Sequence, residues 1–227
     1  MCGRFTLAAP ADELVEAFDI GDLTFEYFAR YNVAPGQEIL VVAEDRKGRR
    51  AGRLTWGLVP GWSDGTGRPF VNARAETIDS KPSFREAFDR RRCLVPADGF
   101  YEWRRPEDGK GGAAKVPYWF HPTSGGTVAF AGIWERWRRP GASPLHTVAL
   151  LTSEANADVS EVHHRMPVVI SRDDHARWLS PTVPGRDVGD VLGPAPAGTF
   201  ERHAVDSRVN RVGEDDVGLI APLAERA

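Results

Sequence analysis

The stretch Arg92-Cys93-Leu94-Val95-Pro96-Ala97-Asp98-Gly99-Phe100-Tyr101-Glu102-Trp103 sets the fold class. Cys93 to Pro96 and Phe100 to Trp103 are short apolar runs of strand length, and Asp98-Gly99 between them is a turn signal. The pattern continues downstream in Pro117 to Phe120, Thr127 to Trp134, His146 to Thr152 and Met166 to Ile170. Upstream, Glu38 to Ala43 and Arg53 to Leu58 read as strands flanking a charged turn through Arg46 to Arg50. Helical spacing is confined to short pieces. Ala11, Leu14, Val15 and Phe18 follow Pro10 with that spacing, and Phe84, Ala87 and Phe88 share a face within Ser83 to Arg90. A third helix is predicted near Ser171, with Asp174 placed to return a cap hydrogen bond. Many strands, three short helices, no repeat and no clean linker predict one α+β domain over residues 1–227. Its core is expected to be a curled, largely antiparallel and barrel-like β-sheet with a few short flanking helices.

The 227 residues are ample for a sizeable core. Hydrophobic residues at 41% and charged ones at 27% predict a soluble globular chain. No apolar run approaches a membrane span, and the first residues lack the basic and apolar regions of a secretory signal. Two cysteines make no disulfide framework, so a reducing cytoplasm is the expected compartment. The net charge of −3 excludes a protein that coats nucleic acid through bulk charge. Arg90-Arg91-Arg92, Arg104-Arg105 and Arg138-Arg139 still allow a local basic groove, because the field follows the distribution of charge. Arg104 to Lys115 reads as a mobile hairpin tip.

Four polar segments interrupt otherwise apolar strands or turns: Cys2-Gly3-Arg4, Phe70 to Thr77, Asp98 to Trp103, and Val162 to Pro167. If Met1 is removed, Cys2 carries an α-amine and a thiol on one residue. An amine condenses with an aldehyde to a Schiff base, and the adjacent thiol can close that imine to a thiazolidine. Their ordinary pKa values, about 7.7–8.0 and about 8.5, keep a useful fraction of both reactive near neutrality. Each other segment also has a structural reading: Asn72 could close a turn, Glu102 could pair with an arginine, and His163 could be a hydrogen-bonded histidine near the core. There is no CxxC or HExxH arrangement and no Gly-rich phosphate loop, so no metal or cofactor is expected.

Taken together, several long motifs resemble one family. They are MCGRFT from Met1, YNVAPGQ from Tyr31, WGLVPGW from Trp56, FVNARAET from Phe70 and RCLVPADGFYEW from Arg92. FAGIWE from Phe130, LTSEAN from Leu151 and HHRMPVVI from His163 follow in order. The chain resembles the abasic-site-processing proteins of the SOS-response-associated peptidase family. The resemblance implies that Cys2, freed of Met1, captures the ring-opened aldehyde of an abasic site in single-stranded DNA as a thiazolidine crosslink. It also implies a possible autoproteolytic loss of Met1, no cofactor, and a monomer associated with the nucleoid.

By motif position, the resemblance implies that Asn72 holds the terminal residue and that Glu102 moves protons. His163 would open the sugar hemiacetal with an imidazole of pKa near 6.5. His164, its strand neighbour, is expected to face away. Arg4, Arg74 and Arg165 would clamp phosphates. Trp56, Trp62 and Phe70 are candidates for base stacking or for a wedge, with core packing the alternative. Cys93 reads as a buried structural cysteine. Two other functions remain open: a cysteine peptidase or amidase with an N-terminal nucleophile, and a noncovalent single-strand binder.

Overall fold

The computed structural model describes residues 2–105, 114–138, 141 and 143–223. The expected hairpin tip falls mostly on residues 106–113, outside the described residues. In chain order the elements are β1 (Phe5–Leu7), α1 (Ala11–Phe18), β2 (Arg30–Val33), β3 (Glu38–Asp45), β4 (Gly48–Trp56) and β5 (Asn72–Arg74). Next come α2 (Arg85–Arg90), β6 (Arg92–Ala97), β7 (Gly99–Arg104), β8 (Val116–Pro122), β9 (Val128–Trp137) and β10 (Leu145–Glu154). The last are α3 (Ala157–Ser160), β11 (Arg165–Pro167), β12 (Val169–Ile170), α4 (His175–Leu179) and β13 (Phe200–Ala204).

The α+β class with dominant sheets is as expected from the sequence. Helix α1 buries Leu14 and Phe18, four residues apart on one face, and carries Asp12 and Glu13 in its first turn, where the helix dipole favours them. The expected strand Met166 to Ile170 is instead two. Pro167 has no N–H to extend a ladder, and at Val168 the chain crosses from β10 to β9, donating to Leu151 and accepting from Ala131. At Ser171 the cap differs in detail. The Ser171 hydroxyl accepts from the Asp174 N–H at 3.3 Å and donates to the Asp174 carboxylate at 2.6 Å.

The described residues form two sheets. A five-stranded one has the order β13-β8-β7-β1-β2, all antiparallel. The larger one runs β11-β10-β4-β3-β6-β9-β12, with β5 alongside β10. Its strands β9 and β10 also pair, from Leu145↔Trp137 to Leu150↔Gly132, so the sheet curls back on itself. It is not strictly a barrel: β3 meets β6 at Val42↔Leu94 alone, and β4 meets β10 only at Thr55↔Thr147 and Trp56↔Val148. The pairings of β10 with β4 and β5 are parallel; the others are antiparallel. No helix among the described residues is long and apolar enough to cross a membrane.

Aromatic side chains join the layers. Phe5 of β1 meets Trp56 of β4 at 5.2 Å and Phe130 of β9 at 6.3 Å, both edge-on, and Phe100 of β7 meets Phe130 at 6.0 Å. Full burial of such a side chain is worth about 1.5–3 kcal/mol, with about 0.5–1.5 kcal/mol more per well-oriented ring pair. Gly99 is required at the β7–β8 contact, because a Cβ there would lie 2.3 Å from Trp119 Nε1 and 2.7 Å from the Phe120 carbonyl oxygen.

Strand β6 is buried along its whole length, Arg92 included. The Arg92 guanidinium donates to five carbonyls: Trp178 at 2.6 Å, Phe88 at 2.8 Å, Asp89 at 3.0 Å, and Ser180 and Val183 each at 2.7 Å. It thus ties α2, α4 and the following loop to the sheet, and it is no contact for a polyanion. Arg92→Met would leave those carbonyls unpaired in an apolar setting, at a cost of about 3 kcal/mol or more. At about 2–4 °C per kcal/mol for a chain of this size, thermal melting should show a drop of roughly 10 °C. Arg92→Lys, with fewer donors, should lose much of the same. A change within about 2 °C for both would refute the staple.

Candidate active site

Strand β1 runs antiparallel to β7 with Phe5↔Phe100 and Thr6↔Gly99, and the Tyr101 N–H extends the ladder to the Arg4 carbonyl at 3.0 Å. This register carries Cys2-Gly3-Arg4 along β7 past Glu102. Strand alternation places Glu102 on the same face as Phe100, between the two sheets, where it is only 3% exposed. Tyr101 and Trp103 take the outer face, under the C-terminal segment with Val205, Val209 and Leu219.

The opposing sheet supplies the other groups. Strand β10 lies between β5 (Leu150↔Asn72, Thr152↔Arg74) and β11 (Thr152↔Pro167, Glu154↔Arg165). Asn72 Nδ2 reaches across and donates to the Cys2 carbonyl at 2.8 Å. Asn72 Oδ1 is buried and has no hydrogen-bond partner among the described residues. His163 is delivered by the turn after α3, which the Asn156 side chain caps by accepting from the Asp158 and Val159 N–H groups. The His163 N–H donates back to the Val159 carbonyl at 2.9 Å, and its Nδ1 lies 3.8 Å from Glu102 Oε1. Cys2, Asn72, Glu102 and His163 therefore converge on one place.

Burial sets the protonation of all three titratable groups. It pushes the Cys2 thiol well above its ordinary range, helped by the Glu102 charge. It raises the Glu102 carboxyl to about 7. It lowers His163 to about 4, which corrects the expectation of an imidazole near 6.5. Near pH 7 the site thus holds a carboxyl close to half-protonation beside a neutral imidazole. His163 Nδ1 lies 3.0 Å from the Arg165 N–H and 3.1 Å from the Arg165 carbonyl, so this nitrogen has a partner whether or not it carries the ring proton. His164 also departs from expectation. Both histidines precede β11 rather than lying in a strand, so alternation does not apply, and their rings stack at 4.4 Å. His164 itself is exposed.

The candidate DNA-contacting residues divide sharply. Arg74 is exposed, with no hydrogen bond or ion pair among the described residues. Arg165 is not available in the same way. Its two terminal nitrogens grip Glu76 at 2.6 and 2.9 Å, and one also bonds the Thr152 carbonyl. Arg4 donates to the Val209 carbonyl at 2.5 Å and to Asn32 Oδ1 at 3.2 Å. Trp56 is fully buried and donates Nε1 to the Val71 carbonyl, so it is core and cannot stack on a base. Trp62 is 73% exposed, and Phe70 is 39% exposed with its ring edge-on to Phe84 at 5.0 Å.

Sequence reasoning gave no role to three residues that hold the site. Asn32 Nδ2 donates to the carbonyls of Val209, Arg211 and Glu214, fastening the C-terminal segment beside Arg4. The Asp98 carboxylate accepts from the Thr6 hydroxyl and the Ala8 and Ala9 N–H groups, fixing the chain just after β1. Glu76 orients Arg165. All three lie inside the motifs quoted above, and a polar side chain within an apolar strand or turn was the signal. Among the described residues, no cluster of His, Cys, Asp and Glu could hold a metal ion.

Residues 1–212 match the profile of the SOS response associated peptidase (SRAP) family. The chain belongs to this family. Among relatives of this SRAP chain, the "abasic site processing protein YoqW" of Bacillus subtilis is 39% identical over 225 residues, spanning 97% of this chain and 99% of that protein. YedK of Escherichia coli, named in the same way, is 28% identical over 98% of this chain and all of its own length. A crystal structure from Bacteroides thetaiotaomicron superposes with a TM-score of 0.87 at 22% identity, covering 98% of this chain and 100% of that one, and shows the shared fold.

The raised Glu102 pKa carries a stability consequence of definite sign. The buried neutral carboxyl contributes stability fully below about 4.5, and that contribution is lost as pH rises through about 7. Glu102→Gln, neutral at every pH, should melt several degrees above the wild type at pH 8. The gap should close towards pH 5. A gap independent of pH in thermal melts at the two values would contradict the shift.

Proposed function

We propose that this SRAP protein processes abasic sites in DNA, capturing the sugar aldehyde in a single strand on Cys2 as a thiazolidine. The observation that carries this is the convergence of Asn72, Glu102 and His163 on Cys2. The naming of several full-length relatives as abasic site processing proteins supports it. Hydrolytic removal of Met1 supplies the amine. That amine attacks the aldehyde carbon to give a carbinolamine, which loses water to an imine. The thiol then adds to the imine carbon while a proton passes to nitrogen, closing the ring. The net balance is protein plus aldehyde giving adduct plus water.

Each side chain has a defined part. Asn72 holds the Cys2 carbonyl and so fixes where the amine and thiol point. Glu102, poised near pH 7, takes the ammonium proton and returns one to the departing hydroxyl. It is also the nearby base for a thiol that burial keeps protonated. His163, neutral near pH 7, donates a hydrogen bond from its protonated ring nitrogen to the sugar ring oxygen as the hemiacetal opens. A second reading, attack of Cys2 on an amide, uses the same residues and accords with the family's description as a peptidase. A noncovalent binder would have no use for Cys2.

Intact-mass spectrometry with a single-stranded oligonucleotide bearing one abasic site separates these readings. The expected result is loss of Met1 and then a species of protein plus oligonucleotide minus water, mapped to Cys2. Cys2→Ala should abolish it, and Cys2→Ser should leave only a reducible Schiff base. No adduct from protein lacking Met1 would move the peptidase reading ahead. The crosslinking rate should rise with pH through about 7 in the wild type. In Glu102→Gln it should fall by roughly 10²–10⁴-fold and lose that rise. His163→Ala should slow crosslinking far more than it weakens binding.

A further inference from the structure

Of the three arginines that motif position points to for DNA phosphate, Arg165 grips Glu76 with both terminal nitrogens and Arg4 turns Nη1 inward to Val209 and Asn32. A strand threaded to Cys2 needs other cations close by, and the base of the β7–β8 hairpin holds them. Strand β7 places Arg104 two residues beyond Glu102, on the same face and about 6.6 Å further along. The cross-strand pairs Glu102↔Tyr118 and Arg104↔Val116 put Tyr118 beside both. The Arg104 guanidinium lies over the Tyr118 ring at 5.1 Å from its centroid. It makes no hydrogen bond or ion pair among the described residues, and it is exposed. Stacking uses the face of a guanidinium, whereas phosphate recognition uses its edge. Tyr118 can therefore hold the fork in a fixed plane while its N–H groups point to solvent. Arg105 and Lys115, next on the two strands, are exposed as well. Their charges are felt at the site, Arg105 at His163 and Lys115 at Glu102.

We infer that Arg104 stacked on Tyr118, flanked by Arg105 and Lys115, is a phosphate-binding rail that leads single-stranded DNA to Cys2. This rests on the proposed capture of abasic sites and adds the surface by which the strand is held. The rail reads charge and not sequence, since phosphate contacts position a strand without identifying its bases. Arg104 is a binding residue and takes no part in the bond-forming steps.

The test measures the Kd of the full chain for an undamaged single-stranded oligonucleotide across a salt series, alongside crosslinking to the abasic oligonucleotide. Arg104→Ala should weaken binding several-fold and lower the log–log salt slope by about 0.7, the loss of one phosphate contact. Arg104→Lys should keep the slope but not the affinity, because the charge survives and the stacked fork does not. Tyr118→Phe, which retains the ring, should bind as the wild type does, and melting temperatures should be unchanged for all three. With oligonucleotide well below Kd, Arg104→Ala should crosslink several-fold more slowly than the wild type, in step with its weaker binding. If wild type crosslinks and Arg104→Ala binds with unchanged affinity and slope, the rail is overturned and the capture chemistry stands. If wild type neither binds the strand nor crosslinks, both fall together.

Discussion

Everything at this site depends on burying a strand that begins five residues into the chain. Terminal segments ordinarily fray, yet β1 is an interior strand, paired with β7 on one side and β2 on the other. Phe5, wedged against Trp56 and Phe130, makes detachment of the strand costly, and Asp98 pins the backbone where it leaves the sheet. Fixing one residue's backbone costs about 1–2 kcal/mol of conformational entropy. For Cys2 that cost is met by folding, before any substrate arrives. In the proposed mechanism the loss of Met1 leaves Cys2 with no chain on one side, and the Asn72 bond to its carbonyl from the opposite sheet then supplies the missing constraint. Preorganisation of this kind is a main source of rate in a condensation between two separate molecules.

The same burial that fixes position also fixes charge. Desolvation is the leading cause of all three shifts, raising Cys2 and Glu102 and lowering His163. Each change favours the neutral form, so the resting site tends towards a set of uncharged groups. Imine chemistry suits such a setting, because its bond-making and bond-breaking steps are each accompanied by a proton transfer between near-neutral partners. Glu76 is held differently: gripped by the fork of Arg165, its carboxyl lies below the ordinary range because the hydrogen bonds outweigh desolvation.

Most of the longer elements are legible in the sequence and the shortest strands are not. The first half of β4 reads as a charged turn, although it pairs with β3 from Gly48 on. Helix α1 and strands β3, β6, β7, β9 and β10 carry enough periodic or continuous apolar residues to be found to within a few positions. Strands β1, β2, β5 and β13 span only Phe5–Leu7, Arg30–Val33, Asn72–Arg74 and Phe200–Ala204. Segments that short exist because a partner strand is already in place, and no local pattern encodes the partner. The convergence of Cys2, Asn72, Glu102 and His163 could be anticipated because each interrupts an apolar context or a turn and sits in a recognisable motif. The fate of the arginines could not. Whether a guanidinium meets solvent or a carbonyl is decided by segments far away in sequence: Val209 for Arg4, Glu76 for Arg165, and Ser180 and Val183 for Arg92. Trp56 shows the same limit, since a tryptophan beside a turn reads alike whether it faces outward or inward.

That division of arginines explains how a chain with net charge −3 can present a site to a polyanion. Much of the acidic charge is spent against arginines, in pairs such as Arg30–Asp215, Arg49–Glu44, Arg91–Glu135 and Arg208–Asp216. Paired charges nearly cancel beyond a Debye length, about 8 Å at physiological salt. The cations left without an acidic partner among the described residues include Arg74, Arg104, Arg105 and Lys115, and these belong to strands or strand ends around Cys2. A strand of phosphates approaching the protein responds to that local field and not to the sum over the sequence. Net charge is thus a poor guide to what this surface attracts, and the pattern of spent and unspent guanidinium groups is a better one.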